Sequence, residues 1–193
     1  MKKRLHGCLN KKESDILKID RVRVGILRCN CYLLDIDNHV LVIDPGDEFD
    51  KIKKSIANRE VVGVIITHHH GDHDGALYEL VNNYHVKVYD RYNLDEGNSS
   101  IDKFNFEVIY TPGHKEDAIT IYFRKENIMF CGDFIFKDSI GRCDLEGGNI
   151  HDMMVSIDKI KKYDKKIIIY PGHGISTTLG YEINNNPYFK ELV

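Results

Sequence analysis

The chain has 193 residues, 42% of them hydrophobic and 30% charged, which suits a full core in one globular domain. A net charge of -3 removes the basic surplus that nucleic-acid binding needs, so "MKKR", "KIKK" and "KIKKYDKK" read as solvated faces. No apolar run approaches the roughly 18 residues of a membrane span, and five cysteines, an odd number, fit a reduced, cytoplasmic protein.

The basic start, "MKKRLHGCLNKKESD", lacks the apolar core of a secretory signal and leaves only an organelle-targeting role open. "ILKIDRVRVGIL" and "CYLLDI" then read as strands, and "HVLVIDPG" as another, ended by Pro45 and Gly46. "CNC" at 29–31 has no second close pair, which argues against a tetrahedral zinc site there. "EFDKIKKSIANR" carries Phe49, Ile52 and Ile56 at helical spacing. "VVGVIIT" is a continuous β-branched run, expected to be a strand buried on both faces. "DGALYELVNNY" predicts a helix with Leu77, Leu80, Val81 and Tyr84 inward, with Asp74 as a candidate cap. Strand-like runs follow in "HVKVYD", "FNFEVIYTPGH", "AITIYFRKENIMFCGD" and "KKIIIYPGHG". Before the last lies a helix, "NIHDMMVSIDKIKKY", with Ile150, Met153, Met154, Ile157 and Ile160 on one face. Strands come in runs, then a helix, and the order recurs, so two packed sheets with outer helices fit better than a doubly wound parallel sheet.

Four strand ends share one pattern. "VVGVIIT" ends in His68, His70, Asp72 and His73, "FEVIYTPG" in His114, "NIMFCG" in Asp133 and "KKIIIYPG" in His173. Strands ending on one edge of a core deliver these residues to a common place, on a rigid mount. Five imidazoles and two carboxylates make seven donors, more than one zinc needs. They suggest two divalent metals with three ligands each and one shared carboxylate, spanning ions roughly 3.5–4 Å apart. Nitrogen and oxygen donors suit Zn, Fe or Mn. His69 alternates away from His68 and His70 and is expected not to ligate. His6, His39, His85 and His151 lack such context.

The stretch Thr67–Gly75, read as T-H-x-H-x-D-H-x-x-G, followed by "TPGH", "GD" and "PGHG", resembles the metallo-β-lactamase superfamily from about Val24 to Phe189. The resemblance implies an α+β fold, the four-layer αββα sandwich, as a single domain over 1–193. It implies one metal on His68, His70 and His114 and a second on Asp72, His73 and His173, with Asp133 bridging and zinc the leading candidate. "NCYLLD", "SIGRCDLEGG" and "PGHGISTTLGYEINNNPYF" resemble the short glyoxalase II-like hydrolases, which implies hydroxyacylglutathione hydrolase or related thioesterase activity on a small-molecule thioester, with no nucleic acid or membrane partner. The chain ends too soon after Phe189 to carry the C-terminal helical glutathione-binding domain of the longer enzymes, and its stretch between "VYD" and "FNFEV" is short.

The implied mechanism is attack by a metal-bridging hydroxide on a thioester carbonyl, with Asp72 accepting a hydrogen bond or proton from that water. Metals in place of an oxyanion hole would hold the developing charge. Arg142 is the candidate substrate contact, its guanidinium suited to a carboxylate, with pairing to Asp144 the competing expectation. Tyr32 and Phe134 are candidate pocket residues, and Cys131 and Cys143 packing residues. "GRCDL" also resembles the Gly-Arg-Thr-Asp stretch of mononuclear Fe(II) persulfide dioxygenases, although "PGHG" favours a hydrolase. A lactone or other ester hydrolase and a structural zinc protein are the remaining alternatives.

Overall fold

The computed structural model describes residues 16–190, so the basic start, His6 and Cys8 lie outside the described residues. The first sheet takes β1 (Lys18–Val24), β2 (Cys29–Ile36) and β3 (His39–Ile43) as an antiparallel meander. Helix α1 (Phe49–Ile56) carries the chain to β4 (Glu60–Ile65), which lies parallel to β3. Helices α2 (Gly71–Asp74) and α3 (Leu77–Tyr84) lead to β5 (Val88–Tyr89), parallel to β4. The second sheet is built from β6 (Gly97–Ile101), β7 (Phe104–Tyr110), β8 (Ile119–Phe123), β9 (Ile128–Gly132), β12 (Ile168–Pro171) and β13 (Thr177–Thr178). Its spatial order is β13-β12-β9-β8-β7-β6. A ribbon of β10 (Ile135–Phe136) and β11 (Ser139–Ile140), then helix α4 (Ile150–Ile160), separate β9 from β12, and α5 (Leu179–Asn185) follows β13.

Strand alternation divides the apolar residues into layers. On β2, Tyr32 and Leu34 turn towards Phe104, Ile121 and Phe130 of the other sheet. Cys29, Cys31 and Leu33 turn the opposite way, in a cluster with Ile52 and Ile56 of α1 and Leu80 of α3. The outer face of the second sheet packs Ile109, Met129 and Ile169 against Met153, Ile157 and Ile160 of α4 and Leu179 of α5. The result is the expected αββα sandwich. β4 is buried on both faces as its sequence predicts: Ile65 enters the inter-sheet cluster, and Val61 and Val64 the helix-side one. No described helix is long and apolar enough to cross a membrane.

Three local expectations need correction. "ILKIDRVRVGIL" is not one strand: β1 stops at Val24, because Gly25 (φ 68°) and Arg28 (φ 56°) form a turn that leaves Ile26 98% exposed. The helix expected from Asp74 is split at Gly75–Ala76; α3 starts without a side-chain cap, and Asp74 instead accepts from His69 Nδ1 at 2.9 Å. On α4, Ile150 is exposed and Met154 half-buried. Asn149 caps that helix by accepting from the backbone of His151 and Asp152, and Ser156 joins the buried face by donating to Pro112 O at 2.7 Å.

Candidate metal centre

Five strand ends meet at one edge between the sheets. β3 runs into Asp44, β4 into Thr67 and His68, β7 into the loop bearing His114, β9 into Asp133 and β12 into His173. The parallel pairs β3–β4 and β9–β12 point their C-terminal ends together, and two antiparallel steps bring β7 into line with β9. Two glycines let these ends close in. A Cβ on Gly132 would lie 2.3 Å from Thr67 Oγ1, and one on Gly172 would lie 2.3 Å from Asp133 Oδ1.

The structure brings all seven expected donors together. His70 Nδ1 lies 2.9 Å from His114 Nε2, and the ligand atoms of His68, His70 and His114 are within 4.8 Å of one another. Beside them, His173 Nε2 is 3.1 Å and His73 Nε2 3.9 Å from Asp72 Oδ2. Asp133 reaches both groups: Oδ1 is 3.3 Å from His73 Nε2, and Oδ2 is 3.5 Å from His173 Nε2 and 3.7 Å from His114 Nε2.

Hydrogen bonds on the far side of the rings fix which nitrogen faces inward. Carbonyls and carboxylates only accept, so His73 Nδ1–H donates to Asp44 (2.9 Å), His114 Nδ1–H to Arg142 O (2.7 Å) and His173 Nδ1–H to Leu27 O (3.0 Å). Thr67 Oγ1 donates to Asp44 Oδ2 at 2.7 Å and so accepts from His68 Nδ1 at 3.1 Å. Each of these four rings thereby turns an Nε2 lone pair towards the centre, the arrangement metal-binding imidazoles need. His68 Nε2, His73 Nε2 and Asp133 Oδ1 are buried with no hydrogen-bond partner. Stranded buried polar atoms cost about 1–3 kcal/mol each; a divalent cation bound by them would remove that cost, and the nitrogen and oxygen donors suit one.

Asp44 is not among the site residues that the sequence marks. It is 1% exposed and accepts from Thr67 N, Thr67 Oγ1 and His73 Nδ1, so one carboxylate orients both His68 and His73. Its signal was present in "HVLVIDPG", an apolar strand running into Asp before Pro-Gly, but an Asp before Pro also reads as an ordinary turn residue. Cys29 belongs to "CNC", whose spacing argues against a tetrahedral zinc site, yet its sulfur lies within 4.8 Å of ligand nitrogens of His73 and His173. Burial pushes its thiol up to about 11, against the pull of the neighbouring His73.

Electrostatics divide the imidazoles. Burial and the surrounding imidazoles hold His68 well below the usual histidine range, and His70 is lowered for the same reasons. Burial also opposes charge on His73, but the carboxylates of Asp44 and Asp133 beside it outweigh that and raise it well above that range. The Asp72 carboxylate close to its Nε2 raises His173, and His173 in turn pulls Asp72 down to about 2. His69 points away, as expected, bonded to Asp74 and Asp90. His39 pairs with Asp102, and His85 and His151 lie at the end of α3 and on the exposed side of α4.

The centre opens on a cleft of about 710 Å³, within the range of small-molecule sites. Leu27, Phe136, Ile140 and Leu145 form its apolar wall, opposite His70, Asp72, His114, Asp133 and His173. Tyr32 and Phe134 do not line it: both are core residues, Tyr32 donating to Pro171 O at 2.7 Å. Arg142 does line it, but its Nε and Nη2 bind Asp144 at 2.9 and 3.0 Å. Cys131 packs in the core and Cys143 is half-buried.

A strand-end cluster of this kind between two sheets has relatives. The sequence profile of the metallo-β-lactamase superfamily matches residues 24–96 and 99–173, and the chain belongs to that superfamily, whose members are typically hydrolases. Hydroxyacylglutathione hydrolase GloC of Haemophilus influenzae is 28% identical over 90% of this chain and 99% of its own. The structure of BLEG-1 B3 metallo-β-lactamase superposes with a TM-score of 0.85 at 28% identity, covering 89% of this chain and 99% of that one. TTHA1623, solved in a di-iron-bound form, gives 0.81 at 28% identity over 88% and 99%.

Proposed function

We propose that this protein is a binuclear metallohydrolase cleaving thioesters of the hydroxyacylglutathione kind. The observation that carries this is Asp133, whose two oxygens lie between a three-imidazole group and an Asp-His-His group at the floor of a half-apolar cleft. In this reading His68, His70 and His114 would hold one divalent cation and Asp72, His73 and His173 another, with Asp133 available to both and zinc the proposed metal. Such a pair, when bound, supplies a water acidified towards neutrality and a Lewis acid for a carbonyl oxygen.

The chain's own residues do the rest. Asp72, held ionised by His173, accepts a hydrogen bond from the attacking water and orients it. The apolar wall of Leu27, Phe136, Ile140 and Leu145 seats the uncharged part of the substrate beside the cluster. Arg142 stands at the rim; its pair with Asp144 is exposed and screened by solvent, so a substrate carboxylate can replace Asp144 at little cost. Water adds across the C–S bond, giving a carboxylic acid and a thiol. No cysteine nucleophile is required, and burial pushes the Cys131 thiol up to about 12. Four free cysteines among the described residues support a reducing, cytoplasmic setting.

Likeness to GloC supports the thioester, and likeness to BLEG-1 favours a second reading, hydrolysis of a β-lactam amide. The test is turnover of S-D-lactoylglutathione and of a cephalosporin by purified protein, after chelation and after zinc is restored. Zinc-dependent loss of the thioester alone supports the proposal; loss of the cephalosporin alone replaces it with the second reading.

A further inference from the structure

We propose that Cys29 is a sulfur donor to the second cation, a role that rests on the binuclear reading and extends it. Its Sγ and a ligand nitrogen from each of His73 and His173 lie within 4.8 Å of one another. His73 is fully buried and its Nε2 has no hydrogen-bond partner, while Nδ1 is committed to Asp44. His73 thus has an unpartnered nitrogen in the same buried group as the sulfur.

The backbone holds Cys29 there. It opens β2, and the next residue fastens that strand start to the end of β12, which delivers His173. Asn30 N donates to Gly172 O at 2.7 Å, and Asn30 Nδ2 donates to Pro171 O at 2.9 Å. Cys29 is 1% exposed and does not line the cleft, whereas Asp72 does. The cleft side is left open for substrate.

The chemistry balances simply. The S–H proton passes to solvent as the sulfur–cation bond forms, with no change in oxidation state. A thiolate among carboxylate and imidazole donors favours thiophilic ions such as zinc or cobalt over manganese or magnesium. It also adds negative charge to the second position, which already has Asp72 and a share of Asp133.

The test is cobalt(II) titration of the metal-free full chain, comparing wild type with Cys29→Ser and Cys29→Ala, followed by X-ray absorption of the zinc form. The expected result is two ions bound, a near-ultraviolet sulfur-to-cobalt charge-transfer band that both variants lack, and a sulfur neighbour at about 2.3 Å from zinc in wild type only. The variants should also bind the second ion at least roughly tenfold more weakly. Two ions bound with no such band overturns the role of Cys29 and leaves the binuclear reading standing. One ion bound with the band present and lost in both variants supports Cys29 and overturns the binuclear count. A band that survives both substitutions assigns the sulfur to another cysteine and refutes the proposal. Retained circular dichroism in either variant keeps the comparison valid if the other fails to fold.

Discussion

Replacing Asp44 with Asn tests the orientation of the cluster without removing any donor from it. Asp44 sits at φ 53°, a left-handed conformation that Asn tolerates and Ala does not. Ala would also strand three buried donors, Thr67 N, Thr67 Oγ1 and His73 Nδ1, at about 1–3 kcal/mol each, a large share of a typical stability of about 5–15 kcal/mol. Asn keeps the shape, and its Oδ1 can still accept from Thr67 N. Its amide, however, faces His73 Nδ1 and Thr67 Oγ1 with hydrogens. His73 must then carry its proton on Nε2, where the lone pair towards Asp133 and Asp72 would otherwise be. Thr67 loses its acceptor, and with it the fixed bond to His68 Nδ1. Loss of such orienting partners costs about 10–100-fold in metal affinity, or about 1.4–2.7 kcal/mol. Competition of the protein with a chromophoric chelator for zinc measures it, with circular dichroism confirming the fold. A folded Asp44→Asn protein whose zinc affinities stay within about twofold of wild type would refute the argument that Asp44 sets the tautomers.

Asp72→Ala should abolish thioester hydrolysis and leave one ion bound per chain by metal analysis; retained turnover removes Asp72 from the mechanism. Arg142→Ala should raise KM for an anionic thioester several-fold more than for a neutral one of equal size, and equal effects would leave Arg142 as a partner of Asp144 alone. On acidification the two positions should empty in sequence. His73 and His173 have raised proton affinity and His68 and His70 lowered, so protons reclaim the Asp-His-His group at a higher pH than the three-imidazole group. Equilibrium dialysis at stepped pH should show the second ion leaving first, and simultaneous loss would contradict the division.

Much of this architecture was legible in the sequence because its signals are local. An apolar run followed by Pro-Gly or Gly-Asp announces a strand end, and the alternation of His68, His70 and Asp72 around His69 shows which side chains share a direction. Where a second element decides the outcome, local signals failed. Tyr32 looked like a pocket residue until strand pairing turned it into the inter-sheet core, against Phe130 and Tyr170. The cleft wall took Leu27 from a turn whose position depends on the left-handed Gly25, and Phe136 from a two-stranded ribbon too short to show periodicity.

Asp44 and Cys29 show the same limit within the centre itself. Both lie on the first sheet, ahead of the histidine block, and neither spacing nor composition ties them to it. Their place comes from the seam between the sheets. Each ligand group draws on both halves: His68 and His70 follow β4 while His114 follows β7, and Asp72 and His73 follow β4 while His173 follows β12. The seam therefore has to be held to a fraction of an ångström from both sides. Asp44 does this from the first sheet by fixing two rings, and Asn30 does it by fastening β2 to the Pro171–Gly174 turn. Residues that carry out such work are chosen by what lies across the seam, so they acquire meaning only when the two sheets are brought face to face.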